Sequence, residues 1–197
     1  MRLAPRRSEM GVVALNRSHI RLAAIAALAC GALAGPVAAD ASAASCANAN
    51  ARPGDASETV LAKSTVCLLN KQRGSRGMHQ LRLNRRLSAA ATNHSRDMVR
   101  KQYFDHTSRA GRDVVDRLTH TGYLGSATTW TVGENLAWGA GSRSTPREIV
   151  VSWMNSPGHK ANILNPRFRE IGIGVIFDTP SPQWTGATYT TTFGARS

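Results

Sequence analysis

The sequence predicts an α+β domain with helices packed on a small antiparallel sheet, because apolar residues recur at helical spacing up to residue 164 and at strand spacing after it. Helix start and stop signals punctuate the first stretch, and no internal repeat or low-complexity array interrupts it. Residues 46–54 are rich in Ala and Asn and end in Pro53-Gly54, which predicts a flexible segment over 40–56 and a folded domain over 57–197. Ser57-Glu58 opens the first helix, whose stripe is Leu61, Thr65, Leu68 and Leu69 and whose end is marked by Gly74 and Gly77. Leu81 and Leu83 alternate before Asn84, the N-cap of a second helix carrying Leu87, Ala90, Ala91, His94 and Met98 on one face and ending near Tyr103. A short third helix spans Asp113 to His120, with Gly122 just past its end. Thr145-Pro146-Arg147-Glu148 then supplies an N-cap, a proline at the first helical position and a capping-box Glu ahead of Ile149, Val150, Trp153 and Met154. Ser156-Pro157-Gly158-His159 repeats the start signal, so a short helix through Leu164 holds His159 in its first turn.

After Asn165-Pro166 the period becomes two. Ile171, Ile173, Val175 and Phe177 define a strand whose Gly172 and Gly174 let another layer approach closely. Tyr189, Thr191 and Phe193 define a second, paired with the first as an antiparallel hairpin, and Thr129–Val132 is a candidate short strand.

The N-terminus reads as a cleaved secretory signal over residues 1–39. Arg2, Arg6, Arg7, Arg17 and Arg21 precede an apolar run from Leu22 to Ala34 that is too short to span a bilayer, and small residues Val37-Ala38-Ala39 follow. Arg6-Arg7 stands too far from the run for a twin-arginine signal, and Ala27-Leu28-Ala29 is a poor box for lipid attachment at Cys30. The expectation is a free, monomeric, secreted protein of the extracellular space or cell envelope, with no transmembrane segment after cleavage. Cys46 and Cys67 survive cleavage, and an even count in an oxidising compartment implies a disulfide from the N-terminal segment to the first helix; the alternative is two free thiols.

Charge narrows the partners. The chain has 25 Lys and Arg against 12 Asp and Glu, and removing residues 1–39 takes five Arg and one Glu, leaving 20 against 11 and a net charge of +9. A basic exported surface meets anionic wall polymers or lipid head groups. Nucleic acid is not expected, since the Arg residues are dispersed and no reading motif is present.

The chemistry-bearing residues lie at turns and helix entries. His106 in Phe104-Asp105-His106-Thr107-Ser108, Glu134 in Gly133-Glu134-Asn135-Leu136-Ala137 and His159 could converge on one pocket, to hold a divalent metal, zinc foremost, or to move protons. Each also has a plainer role: His106 bracing a turn through Ser108, Glu134 accepting from loop amides, His159 merely occupying a first turn. His94 reads as a packing residue, His79 and His120 as surface ones and Trp153 as core, while Trp130, Trp138 and Trp184 are candidates to line a groove.

These motifs, with Trp153-Met154-Asn155-Ser156-Pro157-Gly158-His159-Lys160-Ala161-Asn162-Ile163-Leu164 and Glu170-Ile171-Gly172-Ile173-Gly174, resemble the bacterial secreted branch of the CAP superfamily over roughly residues 61–197. Its SCP domain is shared by cysteine-rich secretory proteins, antigen 5 and pathogenesis-related class 1 proteins. The resemblance implies an α-β-α sandwich, a small antiparallel sheet between helical layers, with two His and two Glu around a central cleft that in some members binds a divalent ion. His106, Glu134 and His159 match three of those positions. The fourth, just after Trp153, is occupied by Met154, Asn155 and Ser156 instead of Glu. No His-Glu-x-x-His helix or Gly-x-Ser-x-Gly elbow occurs, so an enzyme is the lesser expectation. The expected function is a binding or interaction module whose cleft holds a divalent metal, a lipid or an anionic cell-wall ligand. A metal-dependent hydrolase or peptidase and a structural envelope protein are the alternatives.

Overall fold

A computed structural model of the chain describes residues 46–197, and the secretory signal expected over 1–39 lies outside the described residues. Each helix begins where its capping residue predicts. Ser57 accepts from the Val60 amide at the start of α1 (Glu58–Gly74), and Asn84 accepts from the Arg86 and Leu87 amides at the start of α2 (Arg85–Lys101). Asp113 and Asp116 form a full capping box on α3 (Val114–His120). Thr145 caps α4 (Pro146–Asn155), and α5 (Pro157–Ile163) follows at once. At α4 only half of the expected box forms: Thr145 Oγ1 accepts from the Glu148 amide, while the Glu148 side chain, exposed, makes no return bond among the described residues.

The strands are β1 (Arg82–Leu83), β2 (Trp130–Ala140), β3 (Glu170–Ile176) and β4 (Gly186–Arg196), in the sheet order β1-β3-β4-β2. β3 and β4 form the expected antiparallel hairpin, and β2 pairs antiparallel with β4. The sheet is nevertheless mixed, because β1 runs parallel to β3. β2 is also longer than the strand expected at Thr129–Val132: its Gly133, Asn135 and Gly139 are poor strand formers that hide the pattern, and pairing with β4 supplies what propensity does not.

The two faces of the sheet pack differently. A Cβ at Gly172 would lie 2.0 Å from the Leu87 carbonyl carbon, and one at Gly174 would lie 2.3 Å from Thr92 backbone atoms, so α2 rests directly on β3. Ser95 of α2 donates to the Thr190 hydroxyl of β4 at 2.8 Å on this face. On the other face Ile171, Ile173, Val175, Tyr189 and Phe193 bury against Leu61 and Leu69 of α1, Trp153 of α4 and Ile163 of α5. The result is the helix-sheet-helix layering expected of the chain. No helix among the described residues is long and apolar enough to cross a membrane.

Two polar ties fasten the second helical layer. Arg73, 1% exposed, donates to the backbone carbonyls of His79, Ile163, Asn165 and Phe168, joining the end of α1 to the turn after α5. Cys46 and Cys67 form the expected disulfide, with Cα atoms 5.8 Å apart. Part of the segment read as flexible over 40–56 is thus tied to the domain. Cys46 and Ala49 are buried, the Arg147 amide donates to Ala49 O at 2.9 Å, and Arg147 Nε donates to Asn50 Oδ1 at 2.7 Å.

Candidate functional site

β2 is an edge strand, and alternate residues on it serve opposite faces of the sheet. Glu134 stands opposite Thr192 and shares the face that carries Thr190 and α2. Asn135 points to the other face, where its Nδ2 donates to His159 O at 3.0 Å and its Oδ1 accepts from Asn162 Nδ2 at 2.9 Å. Asn162 also donates to Glu134 O at 3.1 Å, so the first turn of α5 is held against the strand at this one point. The site thus straddles the sheet edge, with Glu134 on one side and α5 on the other.

The loop after α2 delivers His106. Gln102 adopts a left-handed conformation (φ 51°) at the C-cap of α2 and turns the chain toward β2. Asp105 Oδ1 then accepts from the Thr107 amide, and Asp105 O pairs with Nε2 of the buried His94 at 2.9 Å. His106 Nδ1 lies 2.9 Å from Glu134 Oε1, so Nδ1–H donates to the carboxylate and the neutral ring keeps its lone pair on Nε2.

Glu134 is 3% exposed in its side chain and is matched by a buried cation. Arg117 Nη2 donates to both carboxylate oxygens, at 2.9 and 2.8 Å, and Nη1 donates to His106 O and Arg112 O. The hydrogen bond that His106 donates to Glu134 raises the ring's pKa above its ordinary value against the opposing pull of desolvation. His159 moves the other way, lowered by burial and then by the neighbouring charge of His106. The two shifts run in opposite directions, so His106 holds its charge to higher pH than His159 does.

Arg117 is the member that sequence reading missed. Its signal was present: Val114, Arg117 and Leu118 share one stripe of α3, so an arginine stands where an apolar residue is expected. The other expectations divide. His94 and Trp153 are buried, 1% exposed each, and His79 and His120 are exposed. Trp130, Trp138 and Trp184 are all exposed, while Trp153 Nε1 donates to Leu136 O. Ser108 Oγ accepts from the Arg112 amide, and neither Ser108 nor Ser156 hydrogen-bonds an imidazole among the described residues.

The expected zinc centre fits these donors poorly. A zinc site draws three or four protein ligands. Both oxygens of Glu134 already face Arg117, Oε1 also takes His106 Nδ1, and only two imidazoles remain. No group of three His, Cys, Asp or Glu among the described residues is arranged to hold an ion.

Comparison with known proteins agrees with the fold. The model of the cysteine-rich secretory protein family (CAP) matches residues 66–190. The chain is 40% identical over 114 residues to the uncharacterized protein YkwD of Bacillus subtilis (strain 168), covering 58% of this chain and 42% of that protein. It is 30% identical over 118 residues to the uncharacterized membrane protein YlbC of the same organism, covering 60% of this chain and 32% of that protein. It thus spans less than half the length of either curated relative. Among solved structures, an extracellular protein containing a SCP domain from Bacillus anthracis superposes with a TM-score of 0.58 at 27% identity, over 69% of this chain and 40% of that one. An outer surface protein from Borrelia burgdorferi shares the fold with a TM-score of 0.55 at 19% identity, over 67% of this chain and 90% of that one.

Proposed function

The chain belongs to the cysteine-rich secretory protein (CAP) family, and from that premise we propose that it is a secreted binding module whose cleft at the β2 edge holds a ligand of the cell envelope. One observation carries this reading: the carboxylate of Glu134 is committed to Arg117 and His106, which leaves it as an orienting group and not as a free base or metal ligand. What the cleft then offers is His106 Nε2, from a ring inclined to hold its proton, and the neutral ring of His159. When charged, His106 donates from Nε2 beside the His159 acceptor, which suits a ligand that brings both an anionic oxygen and a hydroxyl, as wall polymers and lipid head groups do. The net charge of +9 after residue 39 and the extracellular SCP-domain relative support the location.

The opposed shifts of His106 and His159 also favour a second reading, a hydrolase in which the two rings serve as acid and base. Co-sedimentation of the exported chain with isolated cell walls and with lipid vesicles, beside a peptidase and esterase panel, separates the two. The binding reading expects pelleting with one envelope fraction that His159→Ala weakens, and no turnover. Turnover abolished by His159→Ala, without binding to either fraction, overturns it in favour of the hydrolase.

A further inference from the structure

A groove of about 280 Å³ lies between α2, the 104–112 loop and α3. Arg96 and Arg100, one helical turn apart on α2, and Arg112 of the loop line it, and all three are exposed. The one carboxylate of the groove does not neutralise them. Asp97 is taken by Lys101 Nζ at 2.8 Å and by the Tyr103 hydroxyl at 2.7 Å, and Arg100 approaches it only to 3.9 Å. Arg96 donates to the neutral Asn93 side chain at 3.2 Å, and the Arg112 guanidinium has no partner among the described residues. Beneath this rim two buried polar atoms, His94 Nδ1 and Arg117 Nε, also lack a partner among the described residues. Arg117 spends its other donors on Glu134 and on backbone carbonyls, so it forms the wall between groove and cleft.

We propose that this groove binds a phosphate-ester anion, at a site separate from the cleft of His106, Glu134 and His159. Guanidiniums with no close carboxylate partner arrive from two elements, and each presents a planar fork to a pair of oxygens. A carboxylate has two oxygens and satisfies a single fork. A phosphate ester offers more oxygens, spread tetrahedrally, and can meet several forks at once. An oxygen seated on the groove floor supplies the acceptor that Arg117 Nε lacks. The volume exceeds that of a bare phosphate and leaves room for the esterified polyol, whether it belongs to a polyol-phosphate polymer or to a lipid head group. This proposal does not depend on what the cleft holds.

Titration calorimetry of the exported, disulfide-bonded chain tests it, with inorganic phosphate, glycerol 3-phosphate and acetate as probes. Saturable one-to-one binding of both phosphates and none of acetate is expected. Arg112→Gln and Arg100→Gln should each weaken it at least tenfold, whereas Arg167→Gln, which removes an equal charge from the turn before β3, should change it less than twofold. His159→Ala should leave phosphate affinity intact, so failure here and failure of the cleft reading are distinguishable. Flotation with phosphatidylglycerol vesicles, lost in the Arg112→Gln variant, assigns the lipid head group; glycerol 3-phosphate binding without flotation assigns the polymer. Absence of saturable phosphate binding, equal binding of acetate, or equal weakening by all three Arg variants overturns the proposal.

Discussion

Glu134 shows how one side chain sets the state of its neighbours. Its carboxylate fixes the His106 tautomer, raises that ring's pKa, and through the resulting charge helps to lower His159. In Glu134→Gln the His106 pKa should fall, because desolvation and the Arg117 charge then act against its charged form with only Asp105 favouring it, and that of His159 should rise as its neighbour loses charge. Two-dimensional NMR of both rings across pH reads this; unchanged titration curves would sink the coupling. Arg117 would be left buried beside a neutral amide, so the same variant should lose about 3–5 kcal/mol of stability. His94 supplies a separate pH effect. Burial lowers its pKa, so the unfolded chain takes up a proton more readily than the folded one. Its contribution is complete above the unfolded value of about 6.5 and is lost as pH falls from there toward the lower folded value. Denaturant unfolding at a series of pH values should show this acid loss, and His94→Gln should flatten it.

At the scale of elements, the fit of α2 on β3 sets the start of the loop that carries His106. The sequence announced it through Gly172 and Gly174 at alternate positions, since strand glycines mark a close neighbour without naming it. Any Cβ at Gly174 meets helix backbone and not a movable side chain, so Gly174→Ala must push α2 off the sheet. The expected cost is about 1–3 kcal/mol or more. Because α2 leads into the loop that carries His106, the His106–Glu134 bond should loosen as well. Thermal unfolding together with the His106 NMR titration checks both effects; a variant with native stability and native titration would contradict the packing. The helices were legible because Ser57, Asn84, Asp113 and Thr145 act within one turn of themselves. β2 was only partly legible, because its pairing is made with β4, distant in the chain, from Ala140 with Gly186 to Trp130 with Arg196.

At the scale of the molecule, the Cys46–Cys67 bridge closes a loop with a sequence separation of 21 residues and carries the N-terminal stretch onto α1 and α4. Its removal in Cys67→Ser should cost about 3 kcal/mol, chiefly through greater freedom of the unfolded chain. Calorimetric unfolding of the variant measures this, and an unchanged Tm would refute it. The fold class, the five helices, the β3–β4 hairpin and the disulfide were determined by the sequence itself, because caps, periodicity and cysteine parity are local or countable. The motifs singled out His106, Glu134 and His159 as candidates. What only the tertiary structure decided is the partner of Glu134: Arg117, placed by the docking of α3, donates to both of its carboxylate oxygens. The parallel pairing of β1 and the basic groove beside α2 were likewise decided there, because each joins residues that approach one another only when the layers pack, and no spacing along the chain records such a contact.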